Sequence, residues 1–260
     1  MSRRRLDSEL VRRGLVPSRA RATAAIAAGH VLVAGAPALS PARQVSPAES
    51  IAVHGPGPKF VSRGGDKLAH ALEAFAVAVD GRRCLDAGAS TGGFTDCLLQ
   101  HSAAEVHAVD VGRGQLAWTI REDPRVHVLE RTNVRHLEPA DIGGAVPITV
   151  ADLSFISLVT VAPALARCTT PDGELVLLVK PQFEAGRAKV GRRGVITDPA
   201  VHTNVLVNVT TRLADHGIVA VAVVESPRRG ADGNREFLLH GRRDGSLIDA
   251  AALSALVGAA

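Results

Sequence analysis

The 260-residue sequence predicts an α/β protein in two parts, a small α+β module followed by a doubly wound sheet of seven strands. Three observations carry that expectation. Charge is unevenly spread: residues 1–60 hold nine lysines and arginines against three acids, a surplus of +6, while the whole chain carries only +4. A Pro/Gly stretch, GPGPK at 55–59, separates this basic start from the rest. Beyond it, apolar runs of strand length alternate with helical segments, the pattern of a largely parallel sheet covered on both faces. The expected boundaries are residues 1–57 for the module, 58–61 for a linker and 62–260 for the sheet domain.

Composition narrows the class. Hydrophobic residues make up 46% of the chain, enough for a sizeable core. No apolar run approaches a membrane span, and Met1 is followed by Ser2 and three arginines rather than by the apolar stretch of a secretion signal. Cys84, Cys97 and Cys168 are odd in number and lack metal-type spacing, so a reducing cytoplasm and no bound metal are expected. Nothing specifies an oligomer, and a monomer is favoured. A basic module suggests a polyanionic partner such as nucleic acid.

In the first module, RLDSELVRRGL spaces Leu6, Leu10, Val11 and Leu15 at helical intervals. Ser18, preceded by Pro17, suits the N-cap of a second helix running to Gly29. HVLVAG and ESIAVHG read as short strands. The stretch RLDSELVRRGLVPSRARATAAIAAGHVLVAG resembles the S4 RNA-binding domain, with its leucine-rich first helix, Ser-Arg opening the second, and Gly-x-Val-x-Val-x-Gly strand. That resemblance implies RNA phosphate contacts by Arg3, Arg5, Arg12, Arg19 and Arg21. The RLD at 5–7 also occurs as a catalytic signature in pseudouridine synthases; inside this helix it is structural.

In the second part the expected strands are 82–88, 105–112, 126–130, 147–154, 174–180, 218–226 and 235–241, with helices between them, notably 92–102 and 196–217. The last two strands leave no room for a crossover helix. They must pair as an antiparallel hairpin across PRRGADGN.

The clearest ligand motif is LDAGASTGGFTD. A strand ends at Asp86, glycines follow at 88, 92 and 93, Ser90 stands where a strict GxGxxG has glycine, and a helix opens at once. Asp110 closes the next strand, where an acid holds a ribose hydroxyl pair. These residues alone admit NAD or S-adenosylmethionine. Asp152 and Lys180 end the next two strands, Lys67 lies at the start of a helix before the first, and Glu236 begins the last. Two lysines and two acids would then converge on one cleft at the carboxyl edge of the sheet. Lysine is rare in this chain: of 30 basic residues only Lys59, Lys67, Lys180 and Lys189 are lysines. ELVLLVKPQFE nevertheless ends a core strand on one, where Pro181 is expected to turn QFE outward over the cleft.

Taken together, VSRGGDKL, CLDAGASTGGFT, VADLSFISL and LVKPQFE behind an S4-like start resemble the TlyA-type ribosomal RNA cytidine 2′-O-methyltransferases, or hemolysin A family, whose second domain is FtsJ-like and Rossmann-like. The resemblance implies S-adenosylmethionine as cofactor and ribosomal RNA as partner, with 23S and also 16S cytidines as targets. It implies a Lys67, Asp152, Lys180, Glu236 tetrad, with Lys180 as general base or alkoxide stabiliser, oriented by Asp152, and Lys67 and Glu236 holding the ribose. Cofactor contacts fall on Asp86, Gly88, Ser90, Gly92, Gly93, Phe94, Asp110, Asn133 and Asp152. Related mycobacterial proteins carry Arg-Ala-Trp-Val as linker, where this chain has Pro58-Lys59-Phe60-Val61. With no Tyr and 3% aromatics, a broad stacking platform is excluded, leaving Phe60, Phe155 and Phe183 as candidates to stack on a flipped base. The rival readings are a non-catalytic ribosome-associated protein, which leaves the glycine turn unexplained, and a membrane-active hemolysin, for which no amphipathic span is visible.

Overall fold

The computed structural model describes residues 3–55, 59–186, 194–230 and 232–259. The chain forms two compact units, Met1–Gly57 and Pro58–Ala260. Pro56, Gly57 and Pro58, where the linker was expected to begin, lie outside the described residues, as does Ala231 of the expected hairpin loop.

The first unit runs β1 (Arg4–Arg5), α1 (Leu6–Arg12), α2 (Arg19–Ala27), β2 (Val31–Val33), β3 (Ala36–Pro37), β4 (Gln44–Val45) and β5 (Ile51–Val53). β2 is the centre of an antiparallel sheet between β3 and β5, and β1 pairs with β4. Leu6 and Leu10 of α1 pack on Ala22 and Ile26 of α2 and on Val31, Val33 and Val45. Ser18 caps α2, its hydroxyl accepting from Arg21 N–H at 3.3 Å. Leu15, grouped by spacing with the first helix, is exposed instead. The helix stops short because Gly14 adopts a φ of 68° and Leu15 N–H turns back onto Leu10 O.

The second unit begins with α3 (Arg63–Ala74), β6 (Arg83–Ala87), α4 (Gly93–Gln100), β7 (Glu105–Val109), α5 (Trp118–Arg121) and β8 (Val126–Leu129). It continues through β9 (Val146–Ala151), α6 (Leu158–Cys168), β10 (Thr169–Val179), α7 (Pro181–Glu184), α8 (Pro199–Ala214), β11 (Val219–Glu225), β12 (Phe237–Arg242) and α9 (Ala250–Gly258). The seven strands lie in the order β11-β12-β10-β9-β6-β7-β8. β12 is antiparallel to both neighbours, as the absent crossover requires.

Period-two packing explains why the strands are apolar throughout. Leu175, Leu177 and Val179 of β10 face the helices α6, α8 and α9, whereas Val176 and Leu178 face α3 and α4. Both faces are buried, so a polar side chain inside a strand needs a partner, as Thr149 finds in Thr169. From β6 the chain winds outward to β7 and β8, then returns to β9 on the other side of β6. That reversal opens a crevice at the carboxyl ends of β6 and β9.

Candidate active site

The crevice is walled by the turn after β6 and the loop after β9. Asp152 N–H donates to Ala87 O at 3.1 Å, bringing the two loops into contact. Glycine is required at 88: its φ is 90°, and a Cβ there would lie 2.7 Å from the carbonyl oxygen of Asp152. Ser90 adopts a left-handed φ of 47°, the conformation that glycine supplies in the stricter motif. Its strain is offset by the Asp110 carboxylate, which accepts Ser90 N–H at 2.9 Å and Gly112 N–H at 2.6 Å.

Two lobes meet at Gly88, Ser90, Asp152 and Ser154. One, of about 420 Å³, is lined by Asp110, Asn133, Leu153, Phe155 and Ile156, an acid beside apolar side chains. The other, of about 330 Å³, is strongly polar and contains Lys67, Asp152, Lys180 and Glu236. Both are of ligand-pocket size.

The four charged residues form two pairs. Lys180 Nζ lies 2.5 Å from Asp152 and donates to Ser154 Oγ at 3.0 Å. Lys67 donates to Glu236 at 2.5 Å across 169 residues of sequence. Topology makes the second pair possible. β12 runs antiparallel to β10 with Phe237 opposite Val179, so Glu236 arrives beside the end that carries Lys180.

Three expectations need correction. Asp86 does not reach the cleft wall: it is fully buried, accepts the Thr95 hydroxyl at 2.6 Å, and burial raises its carboxyl to about 7, with Asp152 and Asp110 adding to the shift. Phe60 is no stacking surface, because it is buried in the core under Gly65. QFE does not turn outward. Pro181 starts a one-turn helix, and its last residue, Glu184, accepts Ser157 Oγ–H at 2.6 Å and Leu158 N–H at 2.8 Å. Burial raises the Glu184 carboxyl. It ties the start of α6, and with it the Asp152 loop, to the segment bearing Lys180. Sequence reasoning missed Glu184 because nothing in QFE indicates which loop it will meet.

The remaining predicted contacts divide. Gly93 and Phe94 line the polar lobe and Asn133 the other, while Gly92 is a turn residue with a φ of 93°. Phe155 stands 90% exposed at a φ of 63°, its ring 5.1 Å from that of Phe183.

Residues 60–243 match the FtsJ-like methyltransferase family model, and residues 4–51 match the S4 domain. The Mycobacterium tuberculosis 16S/23S rRNA (cytidine-2′-O)-methyltransferase TlyA is 54% identical over 241 residues, which cover 92% of this chain and 90% of that protein. The chain belongs to the TlyA family. Among solved structures, a Streptococcus thermophilus chain described provisionally as a hemolysin superposes with a TM-score of 0.77 at 38% identity, covering 100% of this chain and 96% of that one. An S-adenosylmethionine dependent methyltransferase from Mesorhizobium loti, only 16% identical, shares the fold with a TM-score of 0.50 over 67% of this chain and 96% of its own.

In this TlyA-family chain the S4 arginines are not loose. Arg5 and Arg19 both bind Asp7, Arg12 and Arg13 bind Glu9, and Arg3 binds Glu49. Arg21 makes no ion pair among the described residues. Away from the cleft, Glu105, His107 and His127 bring carboxylate and imidazole atoms within 4.8 Å of one another at the amino edge of β7 and β8. A cation already sits there: Arg83 pairs with Glu105 and donates to Ile142 O.

Proposed function

We propose that the chain transfers the methyl group of S-adenosylmethionine to the 2′-oxygen of cytidine ribose in 23S and 16S ribosomal RNA, acting in the cytoplasm. The observation that carries this reading is the junction of the two lobes, where the Lys180–Asp152 and Lys67–Glu236 pairs face the mouth of a cofactor-sized cavity. The residues present suit the cofactor. Gly88 lets the Asp152 loop close against the turn after β6, and Asp110, the acid at the end of β7, lines the larger lobe where a ribose hydroxyl pair would be held.

When bound, S-adenosylmethionine supplies a methyl group already activated on a sulfonium. What remains for the protein is to hold the hydroxyl in line with it and to accommodate the proton that leaves as the C–O bond forms. Lys180 lies against the Asp152 carboxylate and donates to Ser154 Oγ, with donor capacity left to orient the 2′-oxygen and stabilise negative charge developing on it. The proton passes to water at the open side of the cleft. Asp152 fixes Lys180, and Lys67 and Glu236 hold the neighbouring ribose oxygens. Phe155 stacks on the extruded base.

Calorimetric titration with S-adenosylmethionine, paired with transfer of a labelled methyl group to 23S RNA, tests the reading. Binding with transfer supports it, and failure to bind the cofactor leaves a non-catalytic RNA-binding protein. No described helix is long and apolar enough to cross a membrane. Leakage of liposomes by the pure protein would favour the hemolysin name instead.

A further inference from the structure

We infer that Asp7 is a positioning residue for RNA binding, its carboxylate fixing Arg5 and Arg19 as one paired site for a single backbone phosphate. The inference rests on the RNA-binding reading of the first unit. Arg5 precedes α1 and Arg19 opens α2, so they come from different elements. Both converge on Asp7. Arg5 donates Nε to Oδ1 at 3.1 Å and Nη2 to Oδ2 at 2.8 Å, and Arg19 donates Nη2 to the same Oδ2 at 2.9 Å. Ser8 donates its N–H to Oδ1 at 2.8 Å and its hydroxyl to the same oxygen at 3.2 Å.

The acid lies beneath and the cations above. The Asp7 side chain is 4% exposed, whereas those of Arg5 and Arg19 are 47% and 61% exposed. Each guanidinium has five N–H groups; Arg5 has committed two and Arg19 one, which leaves donors on the solvent side of both. Two forks anchored on one oxygen present a fixed pair of donors to a tetrahedral oxyanion, and their ordering is complete before RNA arrives. These contacts hold the Asp7 carboxyl far below its usual range, so it stays charged wherever RNA is folded. Arg13 shows the contrasting use. Held by Glu9 and by the carbonyls of Ser46, Pro47 and Glu49, it is mostly covered and serves as a staple.

Charge and positioning predict opposite signs for one substitution. Asp7→Asn removes a negative charge from a face that meets a polyanion, so electrostatics alone predicts tighter binding. Positioning predicts a loss on the order of tenfold. The full chain is titrated with transcribed 23S RNA at several salt concentrations, with circular dichroism and melting recorded for each variant. The expected result is weaker binding by a folded Asp7→Asn protein, together with a smaller penalty for Arg19→Ala in that background than in wild type. Equal or tighter binding overturns the proposal, and so does a loss in which the Arg19→Ala penalty is unchanged, since that is the mark of a merely structural acid. Should Asp7→Asn not fold, the Arg5→Ala and Arg19→Ala cycle decides. One shared phosphate lowers the salt slope of the double variant by about one, and two independent phosphates lower it by about two. If the wild-type chain does not bind RNA, the RNA reading fails first and takes this inference with it.

Discussion

Both units pair cations with carboxylates, but they hold the cations at different depths. In the first unit the acids Asp7 and Glu9 are hidden and arginines stand over them toward solvent, Arg12 with about half of its side chain exposed. In the second, Lys67 and Lys180 are recessed, at 10% and 11% exposure, beside Glu236 and Asp152. Residue choice follows geometry. A planar fork that remains charged suits a long polyanion met at the surface, and a compact ammonium fits a recessed cleft. This explains why a chain so rich in arginine uses two of its four lysines in one cleft.

The largest effect should come from breaking the recessed pairs. Lys180→Ala is expected to lower the single-turnover rate of methyl transfer by about 10²-fold or more with RNA affinity unchanged. Lys180→Arg sharpens the contrast. If the group works as a cation, arginine retains measurable transfer; an obligatory base would leave it as inactive as alanine, and the pH–rate profile of the wild type would rise toward the lysine range.

Next comes the tie between the two loops. Glu184→Ala removes both acceptors at the start of α6 and should cost about 1–2 kcal/mol in stability, as loss of an N-terminal cap does, measured by urea unfolding. Transfer should fall with it while S4-mediated RNA binding holds. Loss of RNA affinity instead would mean that the two units do not divide their tasks.

Single carboxylates of the two units also differ in the sign of their contribution to pH dependence. Glu9, held down to about 2 by hydrogen bonds from Arg12 and Arg13, contributes stability that is present above about 4.5 and lost as pH falls through 2. Asp86 behaves the other way. Its folded value of about 7 exceeds the unfolded 3.8, so the cofactor-free protein is most stable below that window and loses stability as pH rises through it. Between pH 4 and 8 the melting temperature of the wild type should fall relative to that of Asp86→Asn.

The smallest effect is expected from Arg21→Ala, a change of a few-fold in RNA affinity with a reduction in salt slope of about one or slightly less. Among the described residues no buried acid pairs with its guanidinium. A larger loss than for Arg19→Ala would reverse the ranking of aligned over unaligned arginines.

Much of this arrangement was legible in sequence because charged residues are rare inside strands buried on both faces. Asp152 and Lys180 stood out against apolar runs, the glycine turn announced a crevice, and a missing crossover helix forced β12 antiparallel. What could not be read was partnership across distance. Lys67 meets Glu236 only through the position of β12 beside β10, and Glu184 finds α6 only once β9 and β10 are neighbours. Asp86 was misplaced for a related reason. A carboxylate within a strand just before a glycine turn has the pattern of a ligand contact, yet strand alternation points it into the α4 face, against Thr95.

The most direct test of the account is a map of 2′-O-methylated nucleotides on unmodified ribosomal RNA after incubation with the chain and S-adenosylmethionine. The account predicts methyl groups on the 2′-oxygen of cytidines with the wild-type protein and none with Lys180→Ala under conditions where both bind the RNA. Methylation of a base, or equal ribose methylation by Lys180→Ala, would contradict it.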